Sequence, residues 1–318
     1  MLRTFFPSAP TGLDAQRVSL ALRNPADYMG RPGYREDFIS GLPLVPMPKI
    51  PNGWLADRAP VTDPDLAAGA KSFVLKYQHF STVQRMSRRM PFFSCVNIDG
   101  TKAKKVDRSD VWRYDPRIDK KHQLITDGIY GNTGDGLFSR GHMTRREDPN
   151  WGSKAEAQTA DEDTFHVANA CPQFQSFNSP VWLGLEDYIL QNTKDDKMEV
   201  SVFTGPVFDD DNDPVYAPKG MPLIQVPVSF WKVAIFRHDD TGNLACAAYV
   251  ASQAAVLPRK NLKPAFVFGE YEEFQLSVAE VEEMTGLDLG ILKQADVLGA
   301  AGSGIRMRVA GLDELVLR

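Results

Sequence analysis

The sequence predicts an α+β fold. Runs of strand composition, "PFFSCVNID", "KMEVSVFTGPVF", "VPVSFWKVAIFRH" and "GNLACAAYVAS", occur without the strand–helix–strand rhythm of a doubly wound parallel sheet. Helix signals are fewer, and the clearest, "SVAEVEEMTGLDLG", stands apart near the C-terminus. A chain of 318 residues with 43% hydrophobic and 24% charged content suits one large domain with extensions. No internal repeat or low-complexity tract is present.

Taken in order, residues 1–62 are rich in proline and glycine and predict an irregular, clasping N-terminal extension. A helix is expected just before "VLKYQHFSTVQRMSRRM", then a buried strand "PFFSCVNID" ending at Gly100. "DVWRYDPRI" reads as an edge strand entering a proline turn, and "LFSRGHM" as a short strand that delivers His142 to its end. "DTFHVANACPQ" is a further strand-like run. Ser179 and Pro180 form an N-cap and N1 pair for the helix "VWLGLEDYILQN". "KMEVSVFTGPVF" and "VPVSFWKVAIFRH" are strands separated by the acidic turn "DDDNDP", and "GNLACAAYVAS" is the antiparallel partner of the second. The last helix has Ser277 and Glu280 as a capping box and stops at Gly286. Residues 63–318 are thus expected to hold the working domain with its C-terminal helical extension.

Cys95, Cys171 and Cys246 are odd in number, far apart and set in apolar surroundings, which predicts buried thiols rather than a disulfide framework. No run of eighteen apolar residues exists, so no membrane-spanning helix is expected. The N-terminal residues lack the apolar core of a secretory signal, and a cytoplasmic location is expected, leaderless export being the other route. Net charge is −5, yet Arg85 to Arg146 holds fourteen Lys or Arg against seven Asp. A basic central segment in an acidic chain is the footprint expected of a phosphate-binding cleft, with a solvated basic face as the plain alternative.

That segment ends in "GLFSRGHMTRREDPNWG". A lone histidine is usually structural, but His142 follows Arg140 and Gly141 and precedes Arg145 and Arg146. Gly141 bares the backbone to a ligand. Arg140 presents a planar fork matched to phosphate oxygens. A neutral imidazole beside a phosphate can take a proton from water. A second constellation is "NACPQFQSFNSPVWLGLE". There Asn178 and Glu186 stand eight residues apart, about 80° beyond two helical turns, so both can face one cleft. An amide oxygen beside a carboxylate suits a hard, well-hydrated cation such as magnesium. Their plain alternatives are a helix cap and a solvent-facing carboxylate. A serine hydrolase built on Ser139 lacks the Gly-x-Ser-x-Gly elbow, and a zinc site from His142, His166 and Cys171 lacks ligand spacing.

Together, "FSRGHM" and "NACPQFQSFNSPVWLGLE" resemble the DNA/RNA non-specific endonucleases, the ββα-metal nucleases that include endonuclease G. Asn169, Pro172, Gln173, Asn178, Trp182 and Glu186 match that family's pattern in register, and the likeness extends from about Tyr77 to Gln253. The resemblance implies a ββα-metal (His-Me finger) fold, a central antiparallel sheet flanked by helices. It implies a magnesium-dependent endonuclease that hydrolyses DNA and RNA phosphodiesters, with manganese as a substitute ion. His142 would be the general base and Asn178 the direct metal ligand. Glu186 would hold a water of the ion and Arg140 would contact phosphate. Arg108 would steady the transition state, with Arg113 and Arg117 as rivals. Ser139, Arg145, Arg146 and Asn169 are the expected substrate-binding residues.

Two positions depart from the family. Ser139 stands where an aspartate is usual, and Leu190 where some members carry an arginine, a cation that Arg145 or Arg146 is expected to replace. The alternative function is a catalytically impaired nuclease-fold module that binds nucleic acid or a protein partner. A homodimer and an inhibitor or regulatory partner are further expectations.

Overall fold

An antiparallel sheet of eight strands organises the chain. The computed structural model describes residues 23–67, 69–124, 129–130, 138–174, 186, 189–191, 193–217, 222–254, 273–299 and 307–308. The strands are β1 (Leu75–Lys76), β2 (Phe80–Arg85), β3 (Met90–Asp99), β4 (Phe138–His142), β5 (Ala170–Phe174), β6 (Glu199–Val207), β7 (Val215–Tyr216), β8 (Ile224–Gln225), β9 (Ser229–Arg237), β10 (Leu244–Ser252), β11 (Glu273–Leu276) and β12 (Met307–Arg308). The large sheet runs β1-β2-β3-β6-β9-β10-β11-β12, while β4-β5 and β7-β8 form separate two-stranded ribbons. The α+β class expected from the sequence is the observed one.

Period-two alternation assigns each strand residue to one of two buried faces. In β9, Trp231, Val233 and Ile235 join one apolar cluster, and Phe230 and Ala234 the other. In β10, Cys246, Ala248 and Val250 fall on the first side, and Ala247, Tyr249 and Ala251 on the second. Both faces are therefore covered. Over the first lie Tyr34, Phe38, Ile39 and Val45, together with helix α2 (Val278–Thr285) through Val278 and Val281. The second carries Phe138, Met143, Ala168 and Cys171, and so holds the β4–β5 ribbon. The expected β9–β10 pairing is present over nine register pairs, from Leu244↔Arg237 to Ser252↔Ser229.

Capping chemistry sets the helix ends where the sequence places them. Ser277 and Glu280 cap α2 reciprocally, and Gly286 closes it at φ 68°, a left-handed conformation that favours glycine. Helix α1 (Lys154–Thr164) was not foreseen; it opens on the same device, Ser153 with Glu156. Its inward carboxylates are satisfied rather than apolar. Asp161 accepts from Arg146 Nη1 at 2.9 Å and Ser109 N at 2.8 Å, and Asp163 from Arg31 Nε at 2.8 Å and Gln78 N at 3.0 Å. A short helix α3 (Leu292–Ala295) follows α2.

Other expectations are corrected. Among the described residues of 63–73 there are turns and no helix, and most of "VLKYQHFSTVQR" enters β1 and β2. "DVWRYDPRI" makes one isolated parallel bridge, Arg113↔His166, instead of an edge strand. "DTFHVANACPQ" divides between the end of α1, a 3-10 turn and β5. Most of the helix expected after Ser179 lies outside the described residues; Glu186 and residues 189–191 are helical. The three cysteines are buried and free. Among the described residues no helix is long and apolar enough to cross a membrane.

Residues 25–62 carry little regular structure but contribute to both clusters, Tyr28, Ala59 and Val61 to one and Tyr34, Phe38, Ile39 and Val45 to the other. Each large apolar side chain buried contributes about 1.5–3 kcal/mol, against a net stability of about 5–15 kcal/mol for a domain. A chain that begins at residue 63 is therefore expected to lose its cooperative thermal transition. A circular dichroism melt as sharp as that of the full chain would contradict this role.

Candidate active site

The β4–β5 ribbon carries His142 at its end, in register with Ala170. Buried carboxamides hold the ribbon in place. Asn169 is fully buried: its Oδ1 accepts from Thr144 N at 2.8 Å, and its Nδ2 donates to Thr144 O at 2.9 Å and Thr164 O at 3.1 Å. Gln253 accepts from Phe174 N at 2.8 Å and donates to Pro227 O at 2.8 Å and Pro172 O at 3.2 Å, tying β5 to the end of β10. Thr144 Oγ1 lies 2.5 Å from Ser94 Oγ of β3. The expectation that Asn169 binds substrate is thus corrected, because its amide is spent on backbone groups and reaches no solvent.

Two more assignments change for steric and hydrogen-bonding reasons. A Cβ at Gly141 would sit 1.9 Å from Gln173 Oε1, so the bare backbone there receives the Gln173 side chain rather than a ligand. Ser139 Oγ donates to Gln173 O at 2.9 Å and fastens the ribbon across its width. Its hydroxyl proton is committed to strand pairing, and the half-exposed oxygen can only accept from a further partner.

Half-buried His142 differs from the two buried histidines, His79 and His166. His79 engages Pro149 O through Nδ1 at 2.8 Å and Gln78 through Nε2 at 2.9 Å. His166 engages Asp163 O at 2.8 Å and the Tyr28 hydroxyl at 2.6 Å. His142 Nε2 is buried and has no hydrogen-bond partner among the described residues. Its ring centroid lies 4.7 Å from Trp112 and 5.1 Å from Phe165, the latter edge to face. Burial, reinforced by the charges of Arg108 and Arg146, lowers its pKa from 6.5 to about 3. The imidazole is neutral at physiological pH.

The same rings carry the neighbouring cations. Arg140 lies 5.7 Å over Trp112 and 4.9 Å over Tyr130, and Arg108 lies 5.5 Å over Phe165. Arg108 is half exposed and pairs with Asp110. Its rivals are turned elsewhere. Arg117 is buried in an ion pair with Asp115 at 2.7 Å and donates to Lys76 O at 2.6 Å, while Arg113 faces Glu162 at 3.9 Å. Arg146 is held by Asp161 at 2.9 Å and by Glu147, and Arg145 lies 3.8 Å from Glu147. Asn178 lies outside the described residues, and with it the separation of Asn178 from His142.

Glu186 receives a cation the sequence reading did not assign. Lys232 Nζ donates to Glu186 Oε1 at 3.1 Å, and Lys232 is 1% exposed. It rises from β9 on the face of Phe230 and Ala234, which is the face that bears the ribbon. The expected substitutes, Arg145 and Arg146, are not the residues paired with Glu186. Asp148 belongs to the same charge cluster. Burial raises its pKa to about 7, pulled down by Arg145 and Lys232 and pushed up by Glu186 and Glu147. The signal for Lys232 was a single lysine inside "VSFWKVAIF", in phase with inward residues.

Folding also disperses the basic segment. Arg85 is bonded to Asp57 at 2.9 Å and Asp210 at 2.5 Å, and Arg88 to Asp210 at 2.7 Å and to Asp213. With Arg146 also paired to Asp161, part of the local excess of +7 is met by carboxylates from outside the segment, while Arg117 and Lys102 pair with Asp115 and Asp99 within it.

Lys232→Met should destabilise the chain by about 3–5 kcal/mol, because it strands Glu186 without its partner. Adding Glu186→Gln should restore part of that stability. Urea unfolding of the single and double variants measures both; an additive double variant would show that the pair is not coupled.

Several known proteins are similar in sequence. The protein y4fB of Sinorhizobium fredii is 37% identical over 294 residues, 86% of this chain and 41% of that one. The mitochondrial nuclease of Saccharomyces cerevisiae is 30% identical over 54% of this chain and 52% of its own length. Human mitochondrial endonuclease G is 27% identical over 60% and 59%. A solved EndoG/EndoGI complex aligns at 22% identity over 68% of this chain and 84% of that one, with a TM-score of 0.42. The chain spans 41–59% of the length of these three sequence relatives. The family model for DNA/RNA non-specific endonucleases matches residues 58–294, most of the sequence, and the chain belongs to that family.

Proposed function

We propose that the protein is a magnesium-dependent endonuclease that hydrolyses DNA and RNA phosphodiesters, with His142 as general base. One observation carries the reading most directly: half-buried His142 keeps a buried ring nitrogen without a partner among the described residues, whereas both nitrogens of buried His79 and His166 are bonded. A structural histidine would have that atom bonded. Family membership supports the reaction class, and the ring-borne arginines beside His142 support an anionic substrate.

His142 Nε2 takes the proton as a water oxygen bonds to phosphorus and the P–O3′ bond breaks; the leaving 3′ oxygen takes a proton from solvent water, giving a 5′-phosphate and a 3′-hydroxyl, and His142 then returns its proton to solvent. Arg108 and Arg140 hold the phosphate oxygens and offset charge as it grows. Because these contacts are to the backbone, little sequence preference is expected. The arriving phosphate also raises the basicity of His142, since it answers the positive charge that helps depress it.

Magnesium, when bound, supplies Lewis-acid charge that polarises the phosphate and steadies the leaving oxygen. Asn178 would hold it, with Glu186 accepting hydrogen bonds from its hydration shell; manganese would substitute. The described residues fit such an ion through oxygen chemistry: Glu186, one of whose oxygens accepts from Lys232, offers a carboxylate to the ion's waters. Among the described residues no group of three His, Cys, Asp or Glu could hold a metal, so the site proposed relies on one carboxamide and the ion's waters. A homodimer, a cytoplasmic location and a protein inhibitor complete the proposal. The inhibitor follows because a free nuclease endangers its own host.

The second reading, a binding module without turnover, draws on Ser139, whose hydroxyl is committed to Gln173 O and brings no charge. A plasmid-nicking assay with and without magnesium separates the two readings. His142→Ala is expected to slow nicking by about 10²–10⁴-fold while leaving DNA binding intact; an unchanged rate in the purified variant refutes the assignment. The pH profile gives an independent check. His142 is a base with a depressed pKa, so activity is lost as pH falls through that value. The acid limb of kcat/KM, which reports the free enzyme, should lie well below 6.5, and the limb of kcat should lie above it because bound phosphate raises the base. A kcat/KM limb at or above 6.5 would contradict a buried His142.

A further inference from the structure

A cleft of about 460 Å³ opens beside the candidate active site, and its chemistry suits a second phosphate. Its walls include Lys104, Lys105, Arg146, Glu147, Asn150 and Lys194. Most cations of the basic segment are tied to carboxylates, but no carboxylate lies within ion-pair distance of Lys104, Lys105 or Lys194 among the described residues. Lys104 and Lys105 are exposed and Lys194 half-buried. Three like charges gathered on one concave wall repel one another unless an anion joins them.

On the floor, Asn150 is 4% exposed, and its side-chain Oδ1 is buried with no donor among the described residues. That oxygen has almost no accessible surface, so recognition in the cleft falls to the lysine charges, which suit the phosphate of a nucleic-acid strand.

The cleft is also joined to the reaction centre. Lys104 N donates to Asn150 O at 2.7 Å, so the lysine segment runs along the stretch that follows His142. Asp161 accepts from both Arg146 Nη1 and Ser109 N, which fixes the cleft wall to the turn that carries Arg108. Arg108 and Arg146 are the two cations whose charge reaches His142. Arg146 thus belongs both to the cleft wall and to the charges around His142.

We propose that this cleft is a flanking-nucleotide subsite, in which Lys104, Lys105 and Lys194 bind a phosphate of the same strand away from the one being cut. The proposal rests on the nuclease reading and adds that the protein grips an extended strand, favouring polymers over minimal esters.

The test compares wild type with a Lys104→Ala/Lys105→Ala/Lys194→Ala variant. Binding of a fluorescein-labelled single-stranded oligonucleotide of about twelve nucleotides is measured in chelator across a salt series. The slope of log Kd against log salt should fall by about 0.7 for each phosphate that the lysines no longer neutralise. Cleavage is then measured on polymeric DNA and on a p-nitrophenyl phosphodiester, which fills only the reaction centre. The variant should drop about tenfold in kcat/KM on DNA through KM and keep its turnover of the small ester. An unchanged salt slope overturns the subsite. An equal drop on both substrates also overturns it, since the lysines would then act at the reaction centre or on the fold. If wild type cuts neither substrate yet the slope falls in the variant, the nuclease reading fails while the cleft stands as a nucleic-acid site.

Discussion

The placement of His142 depends on the carboxamide of Asn169. That side chain closes three hydrogen bonds to backbone, two to Thr144 and one to Thr164. It thereby sets the path by which the chain leaves β4, one residue beyond Met143. In an apolar interior an unpaired peptide group costs about 1–3 kcal/mol, so few other courses are open to this turn. Gln253 does the same at the far end of β5, and Ser139 closes the ribbon between them. The position of His142 is thus imposed by polar side chains that bond to backbone groups. Rigid support of this kind is what a base needs if it is to meet its proton within hydrogen-bond reach.

Electrostatics divides the region into two parts with opposite needs. Around His142, arginines rest on Trp112, Tyr130 and Phe165, and the surplus is positive; an anion is welcome and the imidazole stays neutral. Around Glu186, carboxylates gather with their cations: burial raises Asp148, Arg145 and Lys232 pull it down, and Glu186 and Glu147 push it up by less. A phosphate suits the first part and a hydrated cation the second. Bringing a phosphate and a cation together on adjoining patches is the arrangement that metal-assisted hydrolysis requires.

How far the sequence could be read follows from the physics of each feature. Local signals were legible: the capping box at Ser277, the glycine stop at Gly286, the β9–β10 pairing, and the delivery of His142 at a strand end all depend on residues close together in the chain. Features made by long-range pairing were not. Helix α1 has few apolar residues, because its inward face is made of Asp161 and Asp163 and their partners come from residues 23–31, 78, 109 and 146. Lys232 pairs with Glu186, 46 residues away. The basic segment was legible as a count and misleading as a surface, because Asp57, Asp210, Asp213 and Asp161 arrive from outside it. A motif match assigns residue types to roles; it does not reveal that Asn169, inside the same motif, is consumed by the backbone.

Ser139 illustrates the difference between a role and a residue. An aspartate at this position could not donate to Gln173 O, and an ionised carboxylate held against that carbonyl would be repelled. Serine closes the ribbon and gives up the charge. Leu190 is 4% exposed and packs into the apolar cluster, while the cation for Glu186 comes from the sheet beneath. At Leu190 the departure from the family pattern is thus met by a group that is distant in the chain but adjacent to Glu186 in space.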